Sequence, residues 1–318
     1  MVVLLLVTAA CGPAGTTPGT GSGAACATTT TPDNASIESW TAPQSPSIYP
    51  TLILPGSLQC GPSRFVFSFL DANNLPVASP DRTVSVALYD LGTDPETPVT
   101  TADAQFIWAI EGTTGIYAAN VDFPTVGLYG AEFVTEAPGV PSETIRLTFD
   151  LQPDATVVSV GDLAPPSDTP TLADVGGDVT KISTDATPVT AFYETSVADA
   201  LEAGDPFVLV FATPKFCATT QCGPTLERVK PIAAAHPDMT FINVEPYQLE
   251  SIDGQLQPVL SGDPPSLTPT TTTNEWGLLG EPWVFVVDGD GIVRSSLLLM
   301  FSDEELEAAI AQVEGTGS

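Results

Sequence analysis

The chain reads as two folded units in series: an all-β sandwich over residues 40–155, then an α/β unit over residues 189–314. Three observations predict this. Residues 40–155 are short alternating or β-rich runs split by turn residues, with no competing helical periodicity. Residues 189–314 mix wholly apolar runs with segments whose apolar positions recur at helical spacing, as expected for buried strands interleaved with helices. Between them lies a linker, residues 156–188, in which positions 161–188 are dominated by Pro, Thr and Asp and apolar periodicity disappears. A length of 318 residues suits two domains, and 43% apolar content can build both cores.

Composition narrows function before any motif is read. There are 39 acidic and 8 basic residues, a formal net charge of -31. No basic patch exists to track a phosphate backbone, so no nucleic-acid partner is expected. An anionic membrane surface should repel the chain, and a specific partner should be basic or neutral. The acidity fits solubility in a salty medium or outside the cell. Five cysteines are too few and too scattered for a small disulfide scaffold.

Residues 1–11 hold an apolar run, VVLLLVTAA, ending at Cys11. It is too short to span a bilayer but long enough for the apolar part of an export signal. Thr8-Ala9-Ala10-Cys11 resembles the lipobox of bacterial lipoprotein signals, although Thr8 stands where Leu is usual and no positive segment precedes it. The resemblance implies lipidation at Cys11 and a lipid anchor on the outer side of a bacterial cell membrane. A plain cleaved export signal and a buried strand are the other readings. Residues 12–39 then look like a disordered Gly/Ser/Thr/Pro tether.

In the sandwich the expected strands are Ser47–Leu54, Arg64–Leu70, Thr83–Tyr89, Ala104–Ile110, Gly115–Asp122, Val126–Val134 and Glu143–Leu151. Phe65, Phe67 and Phe69 fall on one face by the period-two rule, as do Ile145, Leu147 and Phe149. The phrase Gly127-Leu128-Tyr129-Gly130-Ala131-Glu132-Phe133 resembles a late strand of the immunoglobulin-like modules of exported bacterial proteins. That resemblance implies presentation or protein contact. Asp90, Asp94 and Glu96 match no recognised calcium loop and read as solvated loop acids. Trp108 and Tyr117 read as strand residues of the core or its margin.

In the second unit, Val189–Tyr193 reads as a short strand, Ser196–Ala203 as a helix ended by Gly204, and Phe207–Ala212 as a strand buried on both faces. Pro224–Ala235 has a helical apolar face that Pro231 should kink or cut. Met239–Val244 is a strand; Trp283–Val287 and Ile292–Met300 form a hairpin about Asp288-Gly289-Asp290-Gly291. Ser302-Asp303-Glu304-Glu305 is a capping box opening a last helix. Residues 246–275 are a polar, turn-rich excursion that either binds a partner or is a passive insertion.

This order, with the strand–cysteine–helix passage Asp205–Val229 and Gly280-Glu281-Pro282-Trp283, resembles a thioredoxin-like domain over about 40% of the chain. The resemblance implies a redox pair at Cys217 and Cys222, Cys217 as nucleophile and Cys222 as resolving thiol. It also implies a cis Pro282, with Glu281 and Phe216 beside it on the substrate-binding surface. Three departures stand. The cysteines are five positions apart, not three; Phe216 replaces the usual tryptophan; strand Phe207–Ala212 lacks the buried carboxylate of many members. Residues five apart on a straight helix lie about 8 Å apart, given a rise of about 1.5 Å per residue. A disulfide needs Cα atoms within about 7 Å. A Cys217–Cys222 bridge therefore requires Cys217 in a loop folding back on Cys222. With these assigned, Cys26 either pairs with Cys60, pinning the tether, or stays free or intermolecular.

Two functions remain open. One is an exported thiol–disulfide oxidoreductase acting on exported proteins or with a membrane thiol donor. The other is a non-enzymatic surface module whose bridge ties the helix entrance. No cofactor is expected. No metal site is expected either, since copper would want a histidine with the thiolates and the single histidine, His236, lies past the far end of the helix.

Overall fold

The computed structural model describes residues 26–314 except 54, 55, 57 and 154. The lipobox-like segment with Cys11 lies outside the described residues, as do residues 12–25 of the expected tether. Residues 26–39 are not a free tether. Thr28 bridges to Val126; Thr29 donates its N–H to the Val126 carbonyl at 2.9 Å and Val126 donates back to Ala27 at 3.0 Å. A one-turn helix, α1 (Glu38–Thr41), then delivers Trp40. The indole is 4% exposed, sits 4.7 Å from the Tyr89 ring and lies 4.8 Å under the Arg146 guanidinium. Low apolar content misleads here because backbone pairing, one tryptophan and the Cys26–Cys60 disulfide anchor the segment.

The sandwich has eight strands in two antiparallel sheets. These are β1 (Ile48–Leu52), β2 (Gly61–Asp71), β3 (Thr83–Asp90), β4 (Thr100–Asp103), β5 (Gln105–Ile110), β6 (Thr114–Phe123), β7 (Gly127–Ala137) and β8 (Val140–Leu151). One sheet runs β1-β2-β6-β5, the other β4-β3-β7-β8. Phe65, Phe67 and Phe69 of β2 meet Tyr117, Phe133 and Tyr129 between the sheets. β4 went unseen in the sequence because TTAD is a short polar edge strand with no apolar alternation to reveal it. Asp90 is no solvated acid. It is 2% exposed and accepts from the Gly92 N–H and the hydroxyls of Thr93 and Thr125, organising its loop from inside.

Residues 156–188 pack along the second unit rather than bridge space. Val158 donates to the Trp276 carbonyl at 3.1 Å, Ala164 to Gly291 at 2.8 Å and Leu172 to Tyr193 at 2.8 Å. Val157 and Ala164 are buried against one face of the second unit's own sheet, and Leu172, Val179 and Ile182 pack on the other.

The expected strand Val189–Tyr193 is a 3-10 turn, Thr190–Tyr193. Phe192 and Tyr193 are consecutive and both buried, which an alternating strand cannot achieve against one core. The Tyr193 hydroxyl meets Ser183 and the Asn243 amide there. Helix α2 (Val197–Ala203) follows, capped by the Ser196 hydroxyl and ended by Gly204 at φ 72°. Then come β9 (Phe207–Phe211), α3 (Cys222–Ala235) and β10 (Thr240–Val244). The excursion folds as two small hairpins, β11 (Leu249–Ile252) with β12 (Gln255–Pro258) and β13 (Leu260–Ser261) with β14 (Ser266–Leu267). Helix α4 (Thr271–Glu275), β15 (Trp283–Val287), β16 (Val293–Leu298) and α5 (Asp303–Glu314) complete the unit. Helix α3 continues through Pro231, so the expected cut does not occur.

The main sheet of the second unit runs β10-β9-β15-β16, parallel between β9 and β10 and antiparallel elsewhere. Along β9, Phe207, Leu209 and Phe211 face α2 and Trp276, while Val208 and Val210 face α3 and α5. Both faces are covered, which is why β9 reads as one apolar run. The two units meet at a charged seam. Arg64 of β2 donates from Nε to Glu305 at 2.7 Å and from Nη2 to the Met300 carbonyl at 2.8 Å. Glu305 also closes the capping box of α5, accepting the Ser302 N–H at 2.8 Å.

Candidate functional site

The site grows from the end of β9. The chain leaves the sheet at Ala212, loops through Cys217 and enters α3 at Cys222, its first helical residue. A disulfide joins the two cysteines, with Cα atoms 6.0 Å apart. The five-residue spacing is accommodated as the sequence required, by a loop on the Cys217 side and a helix that begins only at Cys222. Thr220, inside that loop, has φ 64°. A β-branched residue in the left-handed region is backbone strain, and such strain gathers at functional sites.

The two sulfurs are unequal. Cys222 is fully buried, whereas Cys217 is half-buried beside the exposed Ala218, Thr219 and Thr220. The Cys222 N–H donates to Cys217 Sγ at 3.2 Å, and the Thr219 hydroxyl lies 3.4 Å from the same sulfur. The free amides of a helix N-terminus favour negative charge, so both contacts would stabilise a thiolate on Cys217.

Behind the disulfide lies Glu281, 1% exposed, joined to Pro282 by a cis peptide bond. Its carboxylate accepts the Ala218 N–H at 2.7 Å and the Tyr247 hydroxyl, and its carbonyl accepts the Thr219 hydroxyl at 2.9 Å. One Glu281 oxygen and the two sulfurs lie within 4.8 Å of one another. Burial, then the hydrogen bond and charge of Glu281, push the Tyr247 phenol well above its ordinary range, so it stays a donor. A second carboxylate, Glu245 at the end of β10, accepts the Thr184 N–H at 2.6 Å; burial pushes its carboxyl up, opposed by bonds from Thr213 and Thr184. Thr184 in turn accepts the Lys215 N–H, two residues before Cys217.

The structure thus gathers Cys217, Cys222, Glu281 and Pro282. Glu281 and Pro282 are buried, so in this state neither offers side-chain surface to a partner, contrary to their expected place on the binding face. Phe216 is half-buried, with the Lys215 ammonium 5.3 Å over its ring. The excursion contributes Tyr247, and Lys215 reaches it through the Leu256 carbonyl at 3.2 Å. Trp276 and Trp283 are core residues, both fully buried. His236 is held between Glu307 at 2.8 Å and Glu314 at 2.7 Å, beyond the other end of the 14-residue helix α3 from Cys222. A cleft of about 520 Å³ lies at the seam between the units, lined by Arg64, Gln105, Arg294 and Glu305 and by none of the cysteine-site residues.

Sequence reasoning offered Tyr247 only as a minor contact for a bound chain, missed Glu245 as a site group and looked for an acid on the wrong element. It sought a carboxylate on β9; the buried carboxylate comes from the residue before Pro282. The signal was available in the Glu281-Pro282 adjacency, because a proline placed beside the cysteines brings its predecessor with it.

No protein-family model matches the chain, and no curated protein does. Among solved structures, a DUF4426 family protein from Pseudomonas aeruginosa PAO1 is 16% identical, covering 34% of this chain and 90% of that one at a TM-score of 0.24. A β-glucuronidase from Parabacteroides merdae is 18% identical, covering 33% of this chain and 13% of that one at a TM-score of 0.22. Similarity of that degree supports no conclusion about this chain. Two disulfides point to an oxidising, extracytoplasmic setting. Among the described residues no helix is long and apolar enough to cross a membrane.

Proposed function

We propose that the chain is an exported thiol–disulfide exchange protein, lipid-anchored through Cys11, in which an immunoglobulin-like sandwich presents a thioredoxin-like domain to extracytoplasmic proteins. The observation that carries the reading is the asymmetric disulfide at the head of α3, one cysteine half-buried with its sulfur supported by an amide, the other fully buried beside a carboxylate. The thioredoxin-like assignment is supported by the order β10-β9-β15-β16 with the cysteines after the first of these strands in sequence and a cis proline before the third. The immunoglobulin-like assignment is supported by sheets that match A-B-E-D and C′-C-F-G. The Tyr129 hydroxyl also donates to the Thr125 carbonyl at 2.9 Å, a tyrosine corner.

In this reading a partner thiolate attacks Cys217 Sγ. The Cys217–Cys222 bond breaks and the Cys222 sulfur takes its electron pair and a proton. A second partner thiolate then attacks the mixed disulfide and releases Cys217, leaving the partner oxidised and this pair reduced by two electrons. Glu281 is the acid–base group at the buried Cys222 sulfur, and Tyr247 links it toward solvent. The exposed Ala218, Thr219 and Thr220 beside Cys217 are the surface on which a partner protein's thiol would approach.

The competing reading, a surface module with a structural bridge, draws on the full burial of Cys222. Reduction potential and trapping separate the two. Exchange predicts a potential at or above about -270 mV, and a mixed disulfide that accumulates on Cys217 in Cys222→Ser. A potential below about -300 mV with no trapped adduct would overturn it.

A further inference from the structure

We propose that the reduced chain binds a zinc-like divalent cation through the thiolates of Cys217 and Cys222 and the carboxylate of Glu281. The three ligand atoms already lie within 4.8 Å of one another while the sulfurs are still bonded. Ligands about 2.0 to 2.3 Å from a tetrahedral zinc ion sit at such separations, so breaking the S–S bond needs only a local opening of the sulfur pair. The 6.0 Å between the two Cα atoms leaves room for it, since Cys217 is on a loop and Cys222 on a helix end.

Charge gives the reason a cation belongs there. Reduction leaves two sulfurs beside a carboxylate, with Cys222 and Glu281 at 0% and 1% exposure. Three anions in one buried pocket need protons or a metal to persist. Orienting groups are in place: the Ala218 N–H and Tyr247 O–H fix the carboxylate, and the Cys222 N–H fixes the Cys217 sulfur. Such outer bonds hold ligands in register and tune them. Two thiolates exclude magnesium and calcium, while the hard carboxylate oxygen beside them favours zinc over copper(I). Three protein ligands leave a fourth position open to water or an exogenous ligand. The net charge of -31 raises the local concentration of any cation.

The site does not depend on exchange turnover, so its test is separable from that of the exchange reading. The full chain is reduced with a phosphine, which supplies two electrons and leaves as its oxide while water protonates the two sulfurs. Cobalt(II) is then titrated as the probe, its entry displacing both protons. We expect a 1:1 complex with thiolate-to-cobalt charge-transfer absorption, displaced by zinc, and none in the oxidised chain. Glu281→Gln should weaken binding about tenfold or more, the range set for a lost ligand or its support. A reduced wild-type chain in which alkylation mapping finds both Cys217 and Cys222 free, yet which shows no such band, would overturn the site without any variant. Equal affinity in a Glu281→Gln chain that still re-forms its disulfide would remove the carboxylate from it. Cobalt binding without a mixed disulfide on Cys217 would sink exchange and leave the metal site standing.

Discussion

The molecule's two disulfides differ in almost every respect that matters physically. Cys26–Cys60 closes a separation of 34 residues and packs against the sandwich core, tying an N-terminal segment to the sheet. Cys217–Cys222 closes a separation of 5 residues at the mouth of a helix. In the chain-entropy account the long loop is worth about 3.8 kcal/mol and the short one about 2 kcal/mol. The neighbourhoods differ in the opposite sense. No titrating side chain makes a described hydrogen bond or ion pair to the first bridge, whereas the second has a buried glutamate, a phenol, a helix-end amide and a residue at positive φ around it. The bridge that stabilises less is the one surrounded by chemistry, as expected if the first is a staple and the second a working group.

The largest effect that would break this contrast is on stability and exchange together. Replacing Cys26 and Cys60 by alanine should lower the unfolding free energy by about 3 to 4 kcal/mol and leave exchange at Cys217 untouched. Replacing Cys217 and Cys222 by alanine should cost about 2 kcal/mol and abolish exchange. Urea melts and a thiol-exchange assay on both double variants check this. Equal stability losses with unaffected exchange in both would show the two bridges to be the same kind of object.

A smaller effect sharpens the contrast at one residue. Thr220 holds φ 64°, a conformation that costs a non-glycine residue about 1 to 2 kcal/mol. Thr220→Gly removes that cost but loosens the unfolded chain by about 0.4 to 1 kcal/mol. The net expectation is a gain of about 1 kcal/mol in the oxidised chain, with a shifted reduction potential because the loop no longer stores the strain. No gain, or an equal gain oxidised and reduced, would show the loop indifferent to its bridge.

How much of this was legible in the sequence follows the same division. The sandwich announced itself through Phe65, Phe67 and Phe69, because one buried face imposes a period of two. Strand β9 announced itself because both faces are covered. The capping box at Ser302 and Glu305 was read correctly, while the second role of Glu305, pairing with Arg64 across 241 residues, had no local signature. Glu281 was placed beside the cysteines but on the wrong side of them, since burial depends on what the excursion lays over it. The bond of Tyr247 to Glu281 and the 3-10 turn at Thr190–Tyr193 were hidden for a related reason. Their conformation is set by partners distant in sequence, Glu281 for one and Asn243 for the other.

The smallest effect concerns pH and again separates the two units. The chain's one histidine lies in the second unit, and its titration acts on α3 and α5. Hydrogen bonds donated to Glu307, then to Glu314, raise the His236 pKa above its ordinary 6.5, against a lesser opposing effect of burial. A group whose folded pKa is raised holds more protons folded than unfolded between the two values. Its stabilisation is complete below about 6.5 and is lost as pH climbs through the folded value. Glu307 and Glu314 are themselves substantially exposed, so the pair is screened and worth about 0.5 to 1 kcal/mol at most. The second unit should therefore weaken slightly from pH 6 toward pH 8, and His236→Gln should flatten that slope without altering the sandwich. Hydrogen exchange on α5 against pH measures it, and a slope unchanged in the variant would place the pH response elsewhere.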